Sequence, residues 1–176
     1  VEMALVYAKA TGARRLHLMA GIADPRDENA ASRYLDAVRQ AAGALAAEGL
    51  ELLLEPINNR DIPGYFLNDF EKAVAVITRL GMPNVKLQFD IYHCQIMHGD
   101  VTLRLRKWID LIGHVQIASV PSRQEPDGEE LNYPFLFDTL ERLGYENFIG
   151  CEYRPRGKTV DGLGWFEPYK AGQKCG

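Results

Sequence analysis

The chain has 176 residues, 47% hydrophobic and 25% charged, the make-up of one soluble globular domain with a sizeable core. A net charge of -4 and a pI near 5.6 argue against nucleic-acid or anionic-membrane partners, which select a basic face. No apolar run approaches the roughly 18 residues of a membrane span, no signal peptide is read, and Cys94, Cys151 and Cys175 form no CxxC pair. Free thiols fit a reducing compartment, so the expected location is the cytoplasm.

In chain order, "VEMALVYAKATGA" places Met3, Val6, Tyr7 and Ala10 near helical spacing, with Gly12 as terminator. No capping residue precedes Val1, so this reads as the tail of a helix that begins upstream. "RRLHLMAG" (14–21) predicts a short strand. Residues 29–48 carry Leu35, Val38, Ala42 and Leu45 at steps of three or four and predict an amphipathic helix stopped by Gly49. "LELLLEPI" predicts a strand. "NDFEKAVAVITRLGMP" (68–83) predicts a helix with Asn68 at the cap, Glu71 three residues on, and Gly81 and Pro83 closing it. "VKLQFDIYH" (85–93) alternates Val85, Leu87, Phe89 and Ile91 and predicts a strand. A helix over 100–113, a strand over 113–120, a helix over 133–145 and a strand over 148–155 follow. A last amphipathic segment holds Trp165, Phe166 and Tyr169. Strict alternation predicts a parallel sheet covered by helices, in a single domain spanning 1–176.

The strand ends carry the chemistry. An apolar strand that stops on Glu55 is costly unless something waits for the carboxylate. The next strands carry Asp90, Gln116 and Glu152 at similar depth, separated by 35, 26 and 36 residues, about one βαβ unit each. In a parallel sheet these ends face the same way, and in a closed barrel they converge. Three carboxylates and an amide brought together repel without a counter-ion. All four are oxygen donors, which suits Mg²⁺ or Mn²⁺ better than zinc.

At "LLEPIN", "FDIYHCQIM", "GHVQIASVPSR" and "GCEYRPRG" the chain resembles the hydroxypyruvate isomerases, within the xylose-isomerase-like superfamily of metal-dependent TIM barrels. The resemblance covers essentially the whole chain. It implies an α/β fold, the (β/α)₈ TIM barrel. A full barrel takes about 250 residues, so this chain is expected to supply about five βα units, strands 4–8, the C-terminal two-thirds of an N-terminally incomplete barrel.

The resemblance further implies that Glu55, Asp90, Gln116 and Glu152 bind the metal, that Glu55 and Glu152 double as acid and base, and that His93 binds substrate. Many superfamily relatives carry His where Gln116 stands; glutamine keeps the site all-oxygen and directs the expectation towards Mg²⁺. The implied reaction interconverts hydroxypyruvate and tartronate semialdehyde through an enediolate, so the expected partner is a small hydroxy-keto acid. Its carboxylate needs a cation, for which Arg123 is the first choice and Arg156 the second. His17, His98 and His114 read as structural, and Asn58 and Asn59 as turn residues. The alternatives are a related keto acid or ketose such as 2-oxotetronate, or a folded, inactive remnant. A DNA-repair endonuclease of the same superfamily would want more histidines and a basic groove. Unpaired edges at "RRLHLMA" and at the fifth strand predict homo-association.

Overall fold

Alternation along each short strand separates an apolar face, covered by helices, from a polar face that lines a cleft. The computed structural model describes residues 1–170, so the expectation for Cys175 lies outside the described residues; Cys94 is buried and Cys151 exposed, both as free thiols. The elements are α1 (Glu2–Thr11), β1 (Arg15–His17), α2 (Glu28–Ala46), β2 (Glu51–Leu54), α3 (Phe70–Leu80), β3 (Val85–Asp90), α4 (Ile91–Met97), α5 (Val101–Trp108), β4 (Ile112–Ile117), α6 (Tyr133–Arg142) and β5 (Ile149–Cys151). A 3₁₀ turn (Ile109–Leu111) leads into β4, and a 3₁₀ segment (Thr159–Tyr169) follows β5. The final amphipathic segment is therefore 3₁₀. No helix among the described residues is long and apolar enough to cross a membrane.

The strands form one sheet in the order β1-β2-β3-β4-β5, every pair parallel. This is the arrangement of successive right-handed βα units in a barrel wall. Leu52, Leu54, Val85, Leu87, Phe89, Ile112, Val115 and Ile117 join one core with residues of the covering helices. At its centre Phe70 of α3 meets Phe89 at 4.9 Å and stacks against Trp108 of α5 at 6.1 Å.

Local chemistry sets most boundaries. Asp27 caps α2 by accepting from Asn29 N–H, and Gly81 closes α3 at φ 60, a left-handed conformation that costs glycine little. Several expectations need correction: the strands expected over 14–21 and 148–155 shorten to Arg15–His17 and Ile149–Cys151, and the helix expected over 100–113 ends at Trp108. The cap of α3 is Asp69, whose side chain accepts from Lys72 N–H at 2.9 Å, and not Asn68. The strand expected over 85–93 stops at Asp90, because the Asp90 side chain accepts from Tyr92 N–H at 2.8 Å and starts α4. Ile91 is buried as a helical residue, so the apolar alternation runs past the end of the strand.

β4 carries one extra residue. Leu87 pairs with Ile112 but Gln88 pairs with His114, which skips Gly113. A Cβ on Gly113 would lie 2.7 Å from Lys86 Cβ, so only glycine fits. The skip keeps Val115 and Ile117 on the core side and gives His114 and Gln116 to the cleft side.

The sheet is curled enough for its two edge strands to line one cleft, and Arg15 Nη2 donates to Asn147 Oδ1 at 2.8 Å from the first strand to the approach of the last. Along their outer edges β1 and β5 have no strand partner among the described residues. Nearby, α1 exposes Met3, Val6 and Tyr7, and Phe148 is 85% exposed. Unpaired parallel edges flanked by apolar surface are templates for association. The 176-residue chain is expected to elute above its monomer mass in size-exclusion chromatography with light scattering, increasingly so with concentration. A monomer at all concentrations, with one cooperative melt, would show that these edges are self-sufficient.

Candidate active site

The cleft side of the sheet encloses a cavity of about 630 Å³, lined among others by His17, Glu55, Gln88, His114, Gln116 and Glu152. Apart from His114, each group sits in or just beyond the C-terminal half of its strand. Glu55 follows β2 directly, and Pro56 turns the chain away from the ladder. Asp90 ends β3 and pairs in register with Gln116 of β4. Glu152 follows β5, its backbone N–H bonded to Ile117 O at 3.2 Å.

Glu55, Asp90 and His93 are all buried, and each offers a ligand atom within 4.8 Å of the others. Glu55 Oε2 lies 3.3 Å from His17 Nδ1, while Glu55 Oε1 is buried with no hydrogen-bond partner. Burial, with the Asp90 charge next, pushes the Glu55 carboxyl up to about 8. Burial likewise raises Asp90 to about 7, although the nearby Arg123 charge pulls the other way. An orphaned carboxylate oxygen beside a second buried carboxylate is the arrangement a divalent cation relieves, so these residues fit a hard cation.

His93 has a definite tautomer. Its Nδ1 accepts from Asn58 backbone N–H at 3.3 Å, and the Asn58 amide nitrogen lies 2.6 Å from the same atom. Burial, then the Arg123 charge, lowers His93 to about 3, so the ring is neutral and its proton sits on Nε2. That nitrogen lies 3.6 Å from Asp90 Oδ2. His93 therefore presents a donor at the acid pair rather than a free ligand nitrogen.

The remaining expected residues divide. Gln116 and Glu152 line the same cavity but are already partnered: Gln116 Oε1 accepts from Gln88 Nε2 at 2.5 Å, and Glu152 Oε2 accepts from Arg123 Nη2 at 2.7 Å. Arg123 Nη1 donates to Asp61 Oδ2 at 2.8 Å, and its guanidinium lies 4.8 Å above the Tyr92 ring. Three of its five N–H groups stay free of these two bonds. Arg156 stands apart from this cavity. It pairs with Asp127 and with the buried Glu125, beside a separate cleft that also holds Gly162 and Trp165. Its guanidinium is taken up by loop carboxylates that the sequence did not single out.

Three neighbours of the site escaped the sequence reading, Asp61, Gln88 and Tyr92, and His17, read there as structural, lines the cavity as well. A signal existed for His17, which closes β1, 38 residues before Glu55, and so extends the series of strand-end polar groups by one unit. Burial lowers it to about 4, and its Nε2 has no partner. Gln88 shares the cleft face with Asp90, two residues on, and period-two alternation predicts that. Asp61 and Tyr92 become neighbours only through folding, with Tyr92 Oη donating to Asp61 Oδ1 at 3.2 Å.

Comparison with known proteins places this geometry. A family model described as "Xylose isomerase-like TIM barrel" matches residues 1–169. A 2-oxo-tetronate isomerase of Cupriavidus necator is 52% identical over 96% of this chain and 66% of its own length. A putative hydroxypyruvate isomerase of Homo sapiens is 49% identical over 96% of this chain and 64% of its own. A crystal structure titled as an AP endonuclease, family 2, from Brucella melitensis superimposes with a TM-score of 0.91 at 49% identity, over 96% of this chain and 66% of that one. The chain thus spans about two thirds of the length of these relatives.

Proposed function

The chain belongs to the xylose isomerase-like TIM-barrel family, and from that premise we propose that it carries the active site of a metal-dependent isomerase of short hydroxy-keto acids, with hydroxypyruvate as substrate. One observation carries the reading. Glu55 and Glu152, from β2 and β5, face one cleft, and the buried Asp90 and the His93 donor lie beside Glu55.

Glu55, Asp90, Gln116 and Glu152 would hold Mg²⁺ or Mn²⁺. Such a cation, when bound, supplies Lewis-acid stabilisation of the negative charge that develops on the substrate oxygens. The chain's own groups do the rest. One glutamate removes a proton from C3 of hydroxypyruvate to give the enediolate, and the O3 hydroxyl proton passes to O2. The other glutamate, initially protonated, delivers its proton to C2, giving tartronate semialdehyde and leaving the two glutamates with exchanged protonation states. Two carboxylates lining one cleft suit this, since base and acid must each reach a carbon. Arg123 offers its free N–H groups to the substrate carboxylate, and Tyr92 supports its guanidinium from below. His93 Nε2–H donates to a substrate oxygen.

A second reading, isomerisation of 2-oxo-tetronate, is favoured by the name of the 52% identical relative. It uses the same residues on an acid one carbon longer, which a cavity of about 630 Å³ also holds. An endonuclease reading is poorly served by a net charge of -4.

Mn²⁺ uptake followed by electron paramagnetic resonance, and conversion of each keto acid followed by proton NMR with saturating Mg²⁺ or Mn²⁺, test the proposal together. Metal-dependent turnover is expected, and the ratio of kcat/KM values decides between the two acids. If the chain takes up no metal and converts neither acid, the isomerase reading fails and the inactive remnant takes its place.

A further inference from the structure

We propose that Gln88 is a positioning residue that decides which end of the Gln116 amide is presented to the carboxylate-bearing strands; the inference rests on the metal-dependent reading above. A primary amide has an acceptor end and a donor end of nearly equal size, exchanged by a half-turn of its last torsion. A glutamine offered to a cation is useful only with its oxygen in place, and the side chain cannot select that end unaided.

Two neighbours make the selection here. Gly150 pairs in register with Gln116 on β5, and a Cβ there would lie 3.2 Å from Gln116 Cγ and 2.7 Å from His114 Nε2. The missing side chain leaves the shaft of Gln116 room against the β5 backbone. At its tip, Gln88 Nε2 donates to Gln116 Oε1 at 2.5 Å. Gln88 is 5% exposed, so bulk water does not readily replace that donor. Because Gln88 lies on β3 two residues before Asp90, its donation draws the oxygen of Gln116 towards the strand that bears Asp90, and the NH₂ end turns elsewhere. Partners that orient a metal ligand typically change affinity about 10–100-fold when removed.

The test measures the Mn²⁺ dissociation constant of the chain by electron paramagnetic resonance of free Mn²⁺. Gln88→Met keeps the volume and removes the donor; Gln88→Asn keeps the polarity and withdraws the donor by one methylene, which covers the case in which the methionine variant fails to fold. Each is expected to weaken Mn²⁺ binding about 10–100-fold. Gln116→Met should do the same, and most of the Gln88→Met loss should disappear in the Gln116→Met background, the remainder coming from the contact of Gln88 with Glu55. Wild-type affinity in the Gln88 variants, or losses that multiply in the double variant, overturns the inference while leaving the isomerase reading intact. Failure of the wild-type chain to bind Mn²⁺ overturns both.

Discussion

Glu55→Gln lowers turnover of the keto acid by about 10²–10⁴-fold with metal bound, because the variant loses the group that moves the proton while keeping an oxygen of the same reach. Glu55 suits that role through its surroundings. It is 4% exposed, one of its oxygens has no partner, and in the metal-free chain burial raises its carboxyl to about 8. Glu152→Gln is expected to lose a similar factor, with part of the loss in KM, because it also breaks the Arg123 pair. Each variant is assayed beside its Mn²⁺ content. A rate near that of the parent chain, with Mn²⁺ bound, would remove that glutamate from proton transfer.

The second large effect is on stability, in the chain stripped of metal by chelator. Glu55 and Asp90 have folded-state values of about 8 and about 7, above the ordinary carboxylate range. Carboxyls raised by folding contribute stability that is fully present below the unfolded value and is lost as pH rises through the folded one. His17 and His93 are lowered to about 4 and about 3, and such groups lose stability as pH falls below their ordinary 6.5. The two pairs oppose each other below pH 6.5, and only the carboxyls act above it. Stability should therefore be roughly level between about pH 4.5 and 6.5 and fall by roughly 2–3 kcal/mol towards pH 8.5, or about 5–10 °C in Tm for a domain of this size. Glu55→Gln should flatten that limb, and excess Mn²⁺ should restore the loss. A Tm that does not drop between pH 6.5 and 8.5 in chelator would show that the acid pair is better solvated than its burial implies.

The series of strand-end polar groups was legible because the period of a βα unit and the direction of parallel strands are both written into the pattern of apolar residues. Glu55, Asp90, Gln116 and Glu152 sit where that pattern puts them, at or next to the last residues of β2, β3, β4 and β5. What the pattern lacks is the pairing of side chains across loops. Nothing in the spacing of Arg123, Asp61 and Glu152 foretells that one guanidinium bridges two carboxylates. Arg156 illustrates the same gap: it lies in the loop after β5, four residues beyond Glu152, yet Glu125 and Asp127 hold it at another cleft. The end of β3 was misplaced for a local reason. Ile91 continues an alternation that a side-chain cap has already broken, and periodicity alone does not detect a cap.

That cap gives Asp90 two employments. One carboxylate oxygen accepts from Tyr92 N–H at 2.8 Å and holds the first turn of α4, while the other lies 3.6 Å from His93 Nε2 at the centre of the site. The helix so anchored also carries Tyr92, over which Arg123 rests. Loss of the carboxylate at this one position thus unmoors the platform of the guanidinium as well as the acid pair. Asp90→Ala confounds architecture with chemistry, whereas Asp90→Asn keeps an acceptor for the helix while removing the charge and one acceptor oxygen from the site. Comparing the two separates what the residue builds from what it does.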